Sequence, residues 1–85
     1  MATSMAQRQL KRYELLTTLY EMVGGRPNYS VSREVLVRES GRDPEQVAQD
    51  VAYWAAEGLM HSTFGRPSLT HEGVITAERV MTAMA

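Results

Sequence analysis

Between Gly41 and Gln46 the chain stops one helix and starts another. Glycine accepts the left-handed conformation that closes a helix, and it stands at position 41. Asp43 follows as an N-cap acceptor, Pro44 takes the first helical position, where no N–H is required, and Gln46 takes the third. A glycine-containing turn this short forces the two flanking helices to cross steeply. The predicted pair is a helix over 33–40, capped by Ser32, and a helix over 44–57, ended by Gly58. In the first, Val35, Leu36 and Val37 are expected to face inward. In the second, steps of about 100° put Val47, Val51, Trp54 and Ala55 on one arc. Gln46, Gln49, Asp50, Tyr53 and Glu57 fall on the opposite arc.

The rest of the chain supplies elements for that pair to pack against. Leu10, Tyr13, Leu16, Leu19, Tyr20 and Val23 recur at helical spacing, predicting a helix over 6–23. Ser4 with Gln7 suits a capping box at its start, and the run Gly24-Gly25-Arg26-Pro27-Asn28 ends it. Tyr29-Ser30-Val31 suits a short strand-like bridge. The stretch from Leu59 to Phe64 suits a strand, Gly65-Arg66-Pro67 a turn, and Ser68-Leu69 a short return. Leu59, Phe64 and Leu69 are the residues of this hairpin expected to face inward. Thr70 caps a final helix over 71–84 with Val74, Ile75, Ala77, Val80, Met81 and Met84 as its apolar set. Eighty-five residues suffice for one core and no second domain. The chain is therefore expected to form a single domain over 1–85, with residues 1–5 flexible.

Several function classes fall away on residue types alone. There is no cysteine, so thiolate metal sites, disulfides and cysteine nucleophiles are excluded. His61 and His71 have no partner at ligand spacing, and no metal or cofactor is expected. No catalytic constellation and no glycine-rich phosphate loop stands out, so the chain reads as a non-enzyme. No stretch approaches the apolar length of a membrane span or a secretory signal, so a soluble cytoplasmic protein is expected.

The element order is helix, helix, turn, helix, hairpin, helix, a mostly α fold with a small β-hairpin. In that order the chain resembles a winged helix-turn-helix domain over roughly residues 8–84. The stretch from Leu10 to Tyr20 resembles the family's opening helix. The run Val47 through Trp54 to Glu57-Gly58-Leu59-Met60 resembles the second helix of the turn motif and the entry to the first wing strand. Ser68-Leu69-Thr70-His71-Glu72-Gly73 resembles the Leu-Thr-x-x-Gly exit from the wing. The resemblance implies a binder of double-stranded DNA, such as a transcription regulator, with helix 44–57 in the major groove and wing 61–68 on the backbone. The implied contacts are Arg42, Gln46, Gln49 and Tyr53, with Arg66 at the wing and Arg38 or Ser40 at phosphate. It also implies a homodimer through helix 71–84, with Met81 and Met84 as the seam. The apolar pattern there equally suits a helix that pairs outside the domain.

Charge sharpens the choice. Nine Lys and Arg stand against ten Asp and Glu, a formal net of −1. Over residues 33–57, Arg33, Arg38 and Arg42 oppose Glu34, Glu39, Asp43, Glu45, Asp50 and Glu57, a net of −3. The cations Arg8, Lys11 and Arg12 share a face of the first helix instead. A polyanion is bound largely through phosphate contacts. The acidic centre therefore makes a protein-interaction or oligomerisation module the alternative to DNA binding. Trp54, on the apolar arc, is expected to pack in the core rather than to bind.

Overall fold

The computed structural model describes residues 4–85. The expectation of flexibility for residues 1–3 lies outside that range. Four helices and one two-stranded antiparallel hairpin follow in the order α1 (Met5–Met22), α2 (Arg33–Ser40), α3 (Pro44–Ala56), β1 (Met60–Thr63), β2 (Arg66–Leu69) and α4 (His71–Met84). The architecture is mostly α with a small hairpin, as expected. None of the described helices is long and apolar enough to cross a membrane.

Local chemistry explains most boundaries. The Ser4 hydroxyl accepts from the Gln7 N–H and the Gln7 side chain accepts from the Ser4 N–H. This reciprocal cap satisfies two donors, and α1 begins at Met5. Gly41 takes φ 66° and closes α2. Its N–H donates to the carbonyls of Val37 and Arg38, and α3 starts three residues later. The Asp43 carboxylate accepts from the Glu45 N–H at 2.8 Å, with Pro44 at the first helical position.

The first strand is shorter than expected, Met60–Thr63, the return strand is longer, Arg66–Leu69, and the turn comes one step earlier. Thr63 pairs with Arg66, so Phe64 and Gly65 form the two-residue turn, at φ 51° and 72°. Gly65-Arg66-Pro67 is therefore not the turn, because Arg66 and Pro67 are already in β2. Pro67 is tolerated in that strand because its backbone faces away from β1. Its carbonyl accepts from the Val31 N–H at 3.0 Å, and the Leu69 carbonyl accepts from the Asn28 N–H at 2.7 Å. Asn28 and Val31 thus hydrogen-bond to the outer edge of β2, but Tyr29-Ser30-Val31 forms no strand or bridge of its own.

One core joins all these elements. Leu15, Leu16 and Leu19 of α1 meet Leu36, Val47, Val51, Trp54, Met60, Leu69, Val74 and Ala77. Each fully buried aliphatic side chain contributes roughly 1.5–3 kcal/mol of transfer free energy. Trp54 is buried as expected, its ring 5.1 Å from that of Tyr13, and its indole N–H donates to the Arg12 carbonyl at 2.8 Å. Two inward placements fail. Ala55 is exposed, and Phe64 is 98% exposed. Phe64 sits in the turn itself, outside the strand alternation that would have aimed it at the core.

A close approach locks α4 to the hairpin. The Thr70 hydroxyl accepts from the Gly73 N–H at 2.9 Å and donates to the Gly58 carbonyl at 2.7 Å. The Thr70 N–H donates to the Leu59 carbonyl at 3.1 Å. That same carbonyl oxygen would lie 2.0 Å from a β-carbon at position 73. Only glycine fits there, which gives the Leu-Thr-x-x-Gly stretch a packing reason.

Candidate nucleic-acid interface

The buried arc of α3 is wider than its apolar residues alone. It includes Asp50, which is 8% exposed. Arg42 and Arg12 make that possible. An Arg42 Nη donates to the Asp50 carboxylate at 2.5 Å, and the Arg12 Nε lies 3.8 Å from its other oxygen. Arg42 also donates to the Lys11 carbonyl at 3.0 Å, tying the α2–α3 turn to α1. A carboxylate flanked by two guanidinium groups replaces the water it has lost, so Asp50 faces α1 instead of solvent.

This cluster engages two residues of the expected contact set in contacts within the fold. Arg42 is held inside the fold and does not project from α3. Tyr53 is half-buried, its ring 3.9 Å beneath the Arg12 guanidinium and edge-on to Trp54 at 4.9 Å. A tyrosine with cation on one face and indole on its edge is part of the α1–α3 seam. Ser40 is half-buried as well, and its hydroxyl donates to the Val37 carbonyl at 3.0 Å. Arg38, Gln46, Gln49 and Arg66 remain exposed.

With Asp50 turned inward, the outward stripe of α3 is Glu45, Gln49, Ala52 and Ala56, all exposed at helical spacing. Past its first turn this stripe carries no charge. Gln46 flanks it on the α1 side. On the helical wheel Asp50 lies about 60° from Val47 and about 40° from Trp54, so the buried arc is centred roughly 35° from where the apolar residues alone put it.

A cleft of about 600 Å³ separates the hairpin tip from the start of α2 and α3. Ser32, Arg33, Glu34, Val37, Pro44, Phe64, Gly65 and Arg66 line it. The hairpin thus brings Arg66 beside Arg33, which was not among the expected contacts. Arg33 occupies the first position of α2, where a cation works against the helix dipole. That unfavourable placement was the only local sign of it. The Arg66 Nε donates to the Ser30 hydroxyl at 3.4 Å, which steers its side chain along the edge of the hairpin.

Phe64 is the other residue that pattern reading misplaced. A bulky residue at positive φ is held against a backbone preference of roughly 1–2 kcal/mol. Asparagine, aspartate or glycine is the usual occupant of such a turn. Among the described residues no group of three or more His, Cys, Asp or Glu could hold a metal ion. No protein-family model, characterised protein or solved structure matches the chain.

Proposed function

We propose that the chain is a winged helix-turn-helix domain that binds double-stranded DNA, with α3 as the recognition helix and the β1–β2 hairpin as the wing. The observation that carries this reading is the uncharged outward stripe of Gln49, Ala52 and Ala56 on α3, in a fold that also exposes Arg66 on the hairpin and Arg33 at the start of α2, across one cleft from each other. Glutamine pairs bidentately with adenine, and alanine makes apolar contact with the thymine methyl group. Small side chains let the helix approach base edges closely. Withdrawal of Asp50 into the Arg12–Arg42 pair removes the carboxylate that would have met the bases. The phosphate contacts fall to Arg33, Arg38 and Arg66. Gln46 lies where it can reach a base edge or a sugar.

On this reading the domain is a transcription-regulator module of the cytoplasm, acting by binding and without a catalytic group or cofactor. Two copies pair through α4, where Met81 is half-buried and Met84 is exposed.

Titration of mixed-sequence duplex by fluorescence anisotropy at several salt concentrations tests the proposal. Three phosphate contacts per chain give a slope of log K against log salt of about −3 for one bound copy and about −5 for a bound pair. Absence of binding at low salt overturns it. The second reading, a protein-docking module, draws on the exposed Glu34, Glu39, Asp43, Glu45 and Glu57 around Arg33 and Arg38. It becomes the better account if the chain ignores duplex DNA at low salt.

A further inference from the structure

Phe64 stands alone at the tip of the hairpin, 98% exposed, at φ 51°. Gly65 beside it has no side chain, so the phenyl ring projects unaccompanied. The outward residues of β1, His61, Ser62 and Thr63, are polar. The apolar element of this surface is therefore one ring. Flat protein interfaces cluster several apolar anchors, so a single ring suits point insertion better than a flat contact. Two cations flank it. Arg66 follows the turn, and Arg33 Nη2 lies 3.6 Å from where a β-carbon on Gly65 would be.

We infer that Phe64 is a wedge that inserts between stacked base pairs from the minor groove, with Arg33 and Arg66 holding the phosphates on either side. This rests on the DNA-binding reading and adds a mode of contact to it. A two-residue turn makes a narrow tip, and the minor groove, about 6 Å wide, admits little more. An apolar side chain driven into a base step partly unstacks and kinks the duplex. Arginines beside the wedge gain from the negative potential of the groove. At 98% exposure the ring makes almost no contact with the hairpin itself.

Insertion between base pairs unwinds DNA, and this can be read without knowing a target sequence. A nicked plasmid is ligated at low salt in the presence of the full chain, and its topoisomers are resolved after the protein is removed. Wild type and Phe64→Leu are expected to shift the product toward negatively supercoiled topoisomers as bound protein increases. Phe64→Asn is expected to bind the plasmid with the wild-type salt slope and to lose that shift. Asparagine accepts positive φ, so this variant folds at least as well, and its melting curve checks this. Binding by wild type with no topological shift overturns the wedge and leaves the DNA reading standing. A wild-type shift retained by Phe64→Asn does the same. If no plasmid is bound at low salt, the DNA-binding reading fails and the wedge fails with it.

Discussion

Gly73→Ala adds one methyl group to the first turn of α4, and the surroundings leave it no room. The new carbon would lie 2.0 Å from the Leu59 carbonyl oxygen and 3.3 Å from a Leu69 methyl. Real β-carbons essentially never come within 3.0 Å of another heavy atom, so the two backbones must separate by about 1 Å. That oxygen also accepts from the Thr70 N–H, and the Thr70 hydroxyl bridges Gly58 and Gly73. Separation loosens one or two of these hydrogen bonds, at about 1 kcal/mol each. Overpacking adds roughly 1–3 kcal/mol. Alanine's better helix propensity returns about 1 kcal/mol. The net is a loss of roughly 1–4 kcal/mol, centred on about 2.5 kcal/mol. For a domain of this size that lowers Tm by roughly 10–20 °C. Urea unfolding followed by Trp54 fluorescence and thermal melting followed by circular dichroism measure it. Gly58→Ala is the comparison, because position 58 has φ 79° but nothing within 4 Å of a new β-carbon. Its loss is expected to stay near 1–2 kcal/mol, the backbone term alone. A Gly73→Ala protein as stable as wild type refutes the close approach of α4 to Leu59.

Three further expectations follow from other parts of the fold. Asp50→Ala leaves Arg12 and Arg42 facing each other in a mostly enclosed seam, and a loss of about 3 kcal/mol in urea unfolding is expected. A loss under 1 kcal/mol contradicts the buried pairing. Arg42→Gln should lower stability yet leave the salt slope of DNA binding unchanged, whereas Arg33→Ala and Arg66→Ala should each reduce its magnitude by about 1 per bound copy. An Arg42 variant that alters the slope puts that side chain back on the DNA surface. The Tyr20 hydroxyl donates to Glu78 at 2.9 Å, and this bond, then desolvation, then the carboxylate charge raise its pKa above 10.0. The folded state thus favours the neutral phenol. Its contribution is fully present below pH 10 and is lost as pH rises through the raised value. Alkaline melting curves of Tyr20→Phe should lack that part of the fall, and identical curves for the two proteins count against the Tyr20–Glu78 bond.

Helix boundaries were legible because their causes are local. Ser4 with Gln7, Gly41, Asp43-Pro44 and Thr70 each act within about four residues, the reach of a capping hydrogen bond. The core arc through Val47, Val51 and Trp54 was legible for the same reason, since helical spacing alone aligns it. The hairpin was legible in place but not in register. Phe64 looked like a strand residue by its hydrophobicity, and only the pairing of Thr63 with Arg66 made it the turn.

The candidate interface depended on contacts that no local pattern contains. Asp50 is turned inward by Arg42, eight residues away, and by Arg12, on another helix. A lone carboxylate on an arc boundary belongs outside by polarity, and it moves inside only where packing delivers two cations to it. That exchange withdrew Arg42 and Tyr53 from the outer surface and left α3 an uncharged stripe. Likewise, folding of the hairpin against α2 set Arg33 beside Arg66, residues with no proximity along the chain. Element type, caps and the apolar arcs are settled by interactions within one or two turns of chain. Which charged groups neutralise each other, and which are left to meet a partner, is settled when helices and hairpin are packed together, because Coulomb and desolvation energies depend on distance in space.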